Sequence, residues 1–343
     1  MTIKDIARLS GCGVATVSRV LNNHPDVSEE TRQKVMAVVE ANGFQPNNNA
    51  RQLKQQTGTG IAVIVKGTQN MLFADLVERI QGLLREAGRD GQVYYLDEDA
   101  DEVAYALQLC RERKPPGILF LGGDLELFQS KFQSIGVPCV LLTNSAKDLG
   151  FHNLSSITTD DREASRQAVH FLAGRGHRYI GLMGGNFSCF QIGYSRFLGC
   201  QQACEELGLP FDGMRQCEFC RYSMAEGYAA TRRLLERCPE LTAIFAVSDV
   251  VATGAIRALR DLGKRVPQDI SVMGFDGVAI SDYLVPRLTT VRQNTSQIAE
   301  RGVNVLLRNI ERGCRPLHEV VPFQLIEGES VARLPLGRDA AAK

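Results

Sequence analysis

The first forty residues carry apolar side chains at the three- and four-residue spacing of amphipathic helices. This spacing predicts one helix that opens at residues 3–7, a turn at Gly11 and a second helix over residues 15–22. The apolar side chains expected to meet in one small core are Ile6, Leu9, Val17, Val20 and Leu21. The polar side chains of the second helix that are left facing outward are Thr16, Ser18 and Arg19.

A third helix is predicted to support this pair. Ser28 has the residue type of an N-cap, Glu29 and Glu30 follow in the first turn, and Gly43 ends the helix. The buried stripe of this helix consists of Val35, Val38 and Val39. Two short helices crossed on a third form a helix-turn-helix, which has the dimensions to enter the major groove of DNA.

From Thr57 onward the pattern changes to short apolar runs that alternate with helical stretches. The runs predict strands at residues 61–65, 93–96, 118–121, 179–182, 243–247 and 270–273. Helices are predicted near residues 73–88, 101–113, 161–174 and 193–207 and after Asp249. Because strands that alternate with helices build parallel sheets, the fold class is α/β, with two doubly wound halves behind an all-α N-terminal domain.

Motifs near the N-terminus match a known family. They are Val14-Ala15-Thr16-Val17-Ser18-Arg19-Val20-Leu21-Asn22, Val27-Ser28 with Thr31-Arg32, and Phe44-x-Pro46-Asn47-x-x-Ala50-Arg51-x-Leu53. Through these motifs the chain resembles the LacI/GalR family of bacterial transcription regulators, so the resemblance implies a DNA-binding repressor. It also implies a bilobed, periplasmic-binding-protein-like core, in which a ligand sits between the lobes at the carboxyl ends of the strands.

The resemblance also suggests domain boundaries. Residues 1–45 are expected to form the helix-turn-helix domain, residues 46–57 a hinge helix or linker, residues 58–335 the effector-binding core and residues 336–343 a tail. Within the core, lobe 1 is expected to span about 58–158 and 287–317, and lobe 2 about 159–286 and 318–335. The chain would therefore cross between the lobes several times.

Residues 46–57 are polar and have only modest helix propensity, so we expect them to be loosely ordered in isolation. In the family that the chain resembles, this segment becomes a hinge helix in the minor groove, where a leucine wedges between base pairs. Leu53 occupies that position. The alternative is a solvated linker in which Leu53 has no function.

The motif match also assigns DNA contacts to the second helix. The side chains that would face base edges are Val14, Ala15 and Arg19, and those that would approach phosphates are Thr16, Ser18 and Asn22. The further candidates for DNA contact are Thr31, Asn47, Ala50 and Arg51. Arg19 can donate paired hydrogen bonds to guanine. The alternatives are plain surface hydroxyls at Thr16 and Ser18 and a solvated charge at Arg19.

For the effector cleft the resemblance carries over Phe73, Asp160, Arg196 and Asp276, all in strand-to-helix loops. An arginine flanked by two carboxylates and an aromatic ring can hold the vicinal hydroxyls of a sugar. The alternative is that both aspartates cap helices and that Arg196 pairs with one of them. Ser248 stands where the family more usually has asparagine, so the ligand either differs from the commonest hexoses or binds through water. The expected effector is a small polar molecule, a sugar or sugar derivative, either polyhydroxylated or anionic.

Composition and charge alter this picture little. The 343 residues, 44% of them hydrophobic, can bury a large core. Neither a membrane-length apolar run nor a signal-peptide pattern occurs, so we expect a cytoplasmic protein without membrane contact. The net charge is zero, yet residues 1–57 hold seven basic against five acidic side chains, which is a weak bias toward DNA.

Ten cysteines, among them Cys217-x-x-Cys220, raise the alternative of a zinc or redox site. In a strand, a separation of three places Cys217 and Cys220 on opposite faces. Cys204, one helical turn from Cys200, fits the buried stripe of its helix. These positions favour structural cysteines, and we expect no metal and no cofactor.

Other function classes find less support in the sequence. The chain has no phosphate-binding glycine loop, nucleophile elbow or HExxH zinc motif, so catalysis is not expected. A transport binding protein would share the bilobed core but would need export. The resemblance implies a homodimer on a near-palindromic operator, and residues 335–343 hold no leucine heptads that would build a tetramer. Control by a phosphocarrier protein instead of a ligand stays open, as do induction and corepression.

Overall fold

The computed structural model describes residues 3–21, 27–41, 60–186 and 191–335. The chain divides into two compact units, and the division falls between Gly58 and Thr59. Each unit has a hydrophobic core of its own.

The N-terminal unit contains the helices α1 (Ile3–Ser10), α2 (Val14–Leu21) and α3 (Glu29–Ala41). Between α1 and α2 the chain turns at Gly11, whose φ of +64° lies in the left-handed region that glycine adopts without strain. Ser28 Oγ accepts a hydrogen bond from the backbone N–H of Thr31 at 3.4 Å, as its residue type predicts. The predicted helix ends at residues 22 and 43 lie outside the described residues.

The small core of this unit corrects one prediction. Its buried members are Ile6, Ala7, Val17, Val20, Val35 and Val39. Leu9 was expected among them, but its side chain is 51% exposed. At about 100° per residue, the face of α1 that contains Ile6, Ala7 and the buried Ser10 leaves Leu9 at its margin. The side chain of Leu21 lies outside the described part of the chain.

The larger unit contains two six-stranded sheets. The first consists of β1 (Ile61–Lys66), β2 (Gly91–Leu96), β3 (Ile118–Leu121), β4 (Cys139–Leu142), β5 (Leu154–Thr159) and β11 (His318–Val321), in the order β11-β5-β4-β3-β1-β2. The second consists of β6 (Ile180–Met183), β7 (Cys217–Glu218), β8 (Ala243–Ala246), β9 (Ser271–Asp276), β10 (Thr289–Gln293) and β12 (Phe323–Ile326), in the order β12-β10-β9-β8-β6-β7. Neighbouring strands in the described residues pair in parallel, except that β12 runs antiparallel to β10. We call the first sheet with its helices lobe 1 and the second lobe 2.

Helices cover these sheets. They are α4 (Met71–Glu86), α5 (Glu102–Glu112), α6 (Leu125–Lys131), α7 (Asp161–Gly174), α8 (Ile192–Leu207), α9 (Gly213–Gln216), α10 (Met224–Arg237), α11 (Asp249–Asp261) and α12 (Thr295–Arg312). In β1, the neighbours Val63 and Ile64 join different hydrophobic clusters, so both faces of the sheet are covered, as in other parallel α/β folds. None of the helices in the described ranges is long and apolar enough to cross a bilayer.

The strands and helices predicted from the apolar runs are confirmed, with ends shifted by a few residues at most. The sequence pattern predicts no strand between residues 121 and 161, where β4 and β5 lie. β5 is fully buried although most of its side chains are hydroxyls. Ser155 Oγ accepts from the N–H of Leu317 at 3.0 Å, and Ser156 Oγ lies 2.8 Å from His318 Nδ1, so partners that are distant in sequence satisfy these hydroxyls.

The sheet order corrects the predicted lobe boundaries near the C-terminus. β10 was expected in lobe 1, but it pairs with β9 in the sheet of lobe 2. β11 was expected in lobe 2, but it pairs with β5 and so belongs to lobe 1. Only Pro322 separates β11 from β12 of the other sheet. Because proline lacks an N–H to donate to a ladder, it suits a point where the chain leaves one sheet for another.

His177, which precedes β6, is buried. Its Nε2–H donates to the carbonyl of Ala332 at 3.2 Å, and its Nδ1 lies 3.1 Å from Thr242 Oγ1. Burial lowers the pKa of His177 to about 4. The histidine therefore joins the C-terminal segment to lobe 2 in its neutral form.

We predict that His177 makes the protein sensitive to acid. The unfolded chain takes up this proton near pH 6.5 and the folded protein only near pH 4, so stability falls as the pH drops between these values, by up to about 3 kcal/mol. Urea unfolding as a function of pH measures the loss. His177→Gln should abolish this loss of stability at acid pH, whereas His152→Gln, at an exposed position, should not. An equal loss of stability at acid pH in the two variants would show that His177 is not the cause.

Candidate functional site

A cavity of about 390 Å³ lies between the lobes, at the carboxyl ends of their strands. The lobe 1 residues that line it include Lys66, Asn70, Phe73, Asp97, Glu98, Gly122, Thr143 and Asn144. The lobe 2 residues include Asn186, Gln191, Arg196, Arg221, Tyr222, Glu226, Asp276 and Gln293. This is the edge at which open α/β sheets bind ligands, because the loops that follow parallel strands converge there.

Arg196, in the first turns of α8, is the central cation of the cavity wall. Its Nε donates to Asp161 Oδ1 at 2.8 Å, and its Nη1 donates to the carbonyl of Val247. Its Nη2 lies 3.8 Å from Asp276 Oδ1, and its guanidinium stacks on Phe275 at 3.8 Å from the ring centroid. The side chain is only 5% exposed, so these contacts fix its orientation at the edge of the cavity.

Asp276, the last residue of β9, has a φ of +104°, which an L-residue rarely adopts. Its carboxylate is held on both sides: Ser248 Oγ donates to Oδ2 at 3.0 Å, and Gln293 Nε2 donates to Oδ1 at 2.8 Å. The amide oxygen of Gln293 in turn accepts from Thr159 Oγ1 of lobe 1 at 2.9 Å. A strained backbone and a fixed carboxylate together are typical of a binding site.

Burial dominates the electrostatics of this wall. It raises the pKa of Asp161 to about 6, although the adjacent Arg196 lowers it. It also raises the pKa of Asp276, again against the effect of Arg196. Burial, and then repulsion from Asp276, raises the pKa of Asp249 to about 7. Arg196 is therefore the charge that keeps two crowded carboxylates ionised.

The structure brings three of the five predicted effector residues to the cavity: Phe73, Arg196 and Asp276. Asp160 is exposed, and its carboxylate accepts from the backbone N–H of Glu163 at 2.9 Å, which caps α7. Ser248 is buried behind Asp276 and does not reach the cavity. The carboxylate that accepts the hydrogen bond of Arg196 on this side is Asp161 instead of Asp160, because the first turn of α7 directs the Asp161 side chain inward.

The lobe contacts around the cavity escaped the sequence reasoning. Arg221 Nη2 lies 2.6 Å from Asp97 Oδ1, the N–H of Tyr222 donates to Glu98 Oε2 at 3.3 Å, and Gln191 Nε2 donates to Asp124 Oδ2 at 2.6 Å. A polar residue directly after an apolar run marks one of these contacts, since Asp97 follows a predicted strand. Arg221 and Tyr222 follow a strand of two residues, which leaves no comparable signal.

In the N-terminal unit, α2 presents Arg19 to solvent. Arg19 forms no hydrogen bond or ion pair with any residue that the structure describes. Val14 is 43% exposed, Thr16 is half-buried, and the hydroxyl of Thr31 lies 2.8 Å from Ser28 Oγ at the start of α3. The side chains of Ala15 and Ser18, and all of Asn22, Asn47, Ala50, Arg51 and Leu53, lie outside the described residues.

Known proteins match both units. Residues 2–47 match the model of bacterial regulatory proteins of the lacI family, and residues 169–331 match a periplasmic binding protein-like domain. The chain is 36% identical to the HTH-type transcriptional regulator MalR of Clostridium butyricum over 334 residues, which cover 96% of this chain and 99% of that protein. The chain belongs to the LacI family. This LacI-family protein is a DNA-binding transcriptional regulator, and the family consists of regulators, not enzymes.

Solved structures agree with the fold of this LacI-family chain. The complex of the transcriptional regulator CelR with cellobiose is 27% identical, with a TM-score of 0.70, and the match covers 96% of this chain and 99% of that one. The lac repressor dimer bound to its operator and an anti-inducer is 23% identical, with a TM-score of 0.74 over 97% of this chain and 99% of that one. The predicted helix-turn-helix and bilobed α/β core are thereby confirmed.

The cysteines of this LacI-family member are free thiols wherever the structure describes them. Burial raises the pKa values of Cys217 and Cys220 to about 12, so neither forms a thiolate near neutral pH. Cys217 packs against one hydrophobic cluster of lobe 2 and Cys220 belongs to another. The strand that was expected to hold both cysteines ends at Glu218, so Cys220 lies just beyond it. These contacts favour the structural interpretation of the cysteines.

Proposed function

We propose that this regulator binds a near-palindromic operator as a homodimer, and that a neutral saccharide in the cleft controls this binding. The observation that carries the proposal is Arg196, which lies at the cavity edge between two carboxylates. Closure of the lobes on the saccharide would change how the α2 helices of the two subunits meet DNA. Saccharide binding would thereby change the affinity for the operator. Since a regulator must meet its operator DNA, we place its site of action in the bacterial cytoplasm.

The charge balance of the cleft favours a neutral ligand. Each cation in the described cavity wall has a carboxylate partner, and the pairs are Lys66–Glu102 at 2.6 Å, Arg196–Asp161 at 2.8 Å and Arg221–Asp97 at 2.6 Å. An anionic ligand would meet no free positive charge, whereas sugar hydroxyls can both donate and accept. The saccharide bound by CelR supports this choice.

Further cavity groups suit a polyhydroxylated ligand. Asn144 and Gln191 supply amides, and Phe73 supplies an apolar face. The hydroxyl of Tyr222 is buried without a hydrogen-bond partner among the described residues, and its residue lines the cavity. An unsatisfied buried hydroxyl is costly, so a ligand oxygen that bonds to it would contribute to affinity.

Exposed apolar side chains support a homodimer. Tyr283 is 84% exposed and Val285 is 91% exposed, and both lie in the segment between β9 and β10 of lobe 2. Large exposed apolar groups close together are typical of association surfaces. A second copy of the chain would also supply the second half-site contact that a palindromic operator requires.

The proposed DNA contacts divide into two sets. In the major groove they are Val14, Ala15, Thr16, Ser18, Arg19 and Asn22 of α2, with Thr31 of α3 at the backbone. In the minor groove they are Asn47, Ala50, Arg51 and Leu53, with Leu53 as the wedge. The guanidinium of Arg19, which is exposed and has no partner among the described residues, is the strongest support for the first set.

We expect Arg19→Ala to relax the base preference of the protein and not only its affinity. Loss of a paired arginine–guanine contact removes about 1–3 kcal/mol of discrimination at one position of each half-site. Lys34→Ala, at an exposed position on α3, removes the same charge and should weaken binding to all sequences alike. Fluorescence titrations of both variants at fixed salt, on operators with single base changes, separate the two effects.

The proposed function is tested by selecting binding sequences with the purified full chain and then titrating the selected operator with neutral sugars, sugar acids and a phosphocarrier protein. The expected result is one enriched palindromic motif whose affinity changes only with a neutral sugar. An increase indicates corepression and a decrease indicates induction. No enriched motif would overturn the proposed palindromic operator, and a response to the phosphocarrier protein alone would overturn the proposed effector.

A further inference from the structure

Lys66 and Glu102 form a buried ion pair in the wall of the cavity. Lys66 is the last residue of β1 and Glu102 the first residue of α5, and Lys66 Nζ lies 2.6 Å from Glu102 Oε2. The glutamate side chain is fully buried, and the lysine side chain is 11% exposed. Lys66 lines the cavity, so the cation lies on the ligand side of the pair.

Both oxygens of Glu102 are in use. Oε2 accepts from Lys66, and Oε1 accepts from the backbone N–H of Asp124 at 2.6 Å, in the loop after β3. Burial raises the pKa of Glu102, and the charge of Lys66 is the largest effect that opposes this rise. The carboxylate is thus fixed in place and depends on the lysine for its charge.

The ammonium of Lys66 has donors to spare. It carries three N–H groups, one of which is directed to Glu102. Within the described chain it has no other hydrogen-bond partner. The ammonium can therefore donate twice more at the cavity wall, while its charge is already balanced by a carboxylate behind it.

We propose that the Lys66–Glu102 pair is a specificity element of the cleft: Lys66 donates hydrogen bonds to two oxygens of the effector, and Glu102 makes the cleft select neutral over anionic sugars. This inference rests on the proposed function. A lysine alone would attract the carboxylate of a sugar acid. A lysine neutralised by a fixed glutamate keeps its donor groups but loses most of that attraction, because the buried negative charge opposes an incoming one.

Glu102→Gln tests the role of the charge. The glutamine oxygen can still accept from Asp124, while its amide nitrogen faces the ammonium and cannot accept from it. Lys66 is then an unbalanced cation at the cavity wall. We expect the affinity for glucuronate relative to glucose, and for galacturonate relative to galactose, to rise by about tenfold or more, since a charge-assisted contact is gained.

Lys66→Met tests the role of the donors. It should lower the affinity for the neutral sugars by about tenfold or more, because two hydrogen bonds from a charged donor are lost. Since this variant leaves the buried carboxylate of Glu102 without its cation, its folding is checked by circular dichroism. Glu102→Gln keeps the inference testable even if Lys66→Met does not fold.

Calorimetry on the full chain gives these affinities, with glucose, galactose, maltose and cellobiose as neutral probes and the two uronates as anionic ones. The matched control is Glu126→Gln on α6, an exposed position that loses the same charge and should leave the uronate preference unchanged. If the wild-type protein binds neutral sugars but Glu102→Gln keeps the wild-type preference, the inference is overturned and the proposed function stands. If the wild-type protein binds none of the neutral sugars, the inference is overturned together with the neutral-saccharide part of the proposed function, whereas the operator part stands.

Discussion

Replacing Arg196 with methionine is expected to lower the free energy of unfolding by about 3–5 kcal/mol and to abolish effector binding. The variant leaves Asp161 and Asp276 buried without their shared cation and the carbonyl of Val247 without its donor. Methionine fills a similar volume, so the loss reports on charge and hydrogen bonding more than on packing. Urea denaturation at pH 8 measures it.

The pH dependence of this loss has a definite sign. Without Arg196, the pKa values of both carboxyls rise further, because the largest effect that opposes burial is lost. A carboxyl with a raised folded-state pKa binds its proton before the unfolded chain does, so folding becomes relatively more favourable as the pH falls. The difference between the variant and the wild-type protein should therefore shrink from pH 8 to pH 5.

The matched control for this experiment is Arg162→Met on α7. Arg162 is exposed, and its Nε donates to Gln202 Oε1 at 3.0 Å across the surface of lobe 2. A surface change of this kind should alter stability by no more than about 0.5 kcal/mol. If Arg196→Met were as mild as Arg162→Met, Arg196 could not be holding the buried carboxylates.

Alanine at Gly254 is expected to destabilise the protein by about 3 kcal/mol, the upper end of the usual cost of overpacking. A Cβ at Gly254, on α11, would lie 2.1 Å from the carbonyl oxygen of Met224 at the start of α10. The contact is reciprocal, because a Cβ at Gly227 on α10 would lie 2.4 Å from the carbonyl oxygen of Val251. The two helices pack backbone against backbone, so one of them must move to admit a methyl group.

Gly82→Ala is the control, and its expected effect has the opposite sign. Gly82 lies inside α4, and apart from its chain neighbours and the adjacent backbone of its own helix no atom lies within 4 Å of the added Cβ. Alanine there should stabilise the helix by about 0.5–1 kcal/mol, since glycine loses more backbone entropy on folding. Thermal and urea unfolding of the two variants make the comparison. A stabilising effect of Gly254→Ala would contradict the close helix contact.

The sequence predicted many of the strands and helices of the larger unit. It failed for those strands whose position depends on residues far away in the chain. Apolar runs identified β1 and β3, because buried parallel strands are continuously apolar. β5 carries buried hydroxyls, which resemble a polar loop until the hydrogen-bond partners supplied near β11 are known. The lobe boundaries taken from the family resemblance placed β10 and β11 in the wrong lobes, and nothing local to either strand could correct them, because local sequence does not tell which sheet has a free edge for a strand.

The sequence by itself determined the helix-turn-helix unit and the α/β class, because helical periodicity and apolar runs are local properties. Its resemblance to the LacI/GalR family added the expectation that Arg196 and Asp276 line the cleft, where the structure places them. Tertiary structure decided that Asp161, not Asp160, is the partner of Arg196. It also decided that Lys66 meets Glu102 at the cavity wall. These pairs depend on the direction of side chains from elements far apart in the chain, which packing fixes and sequence spacing does not.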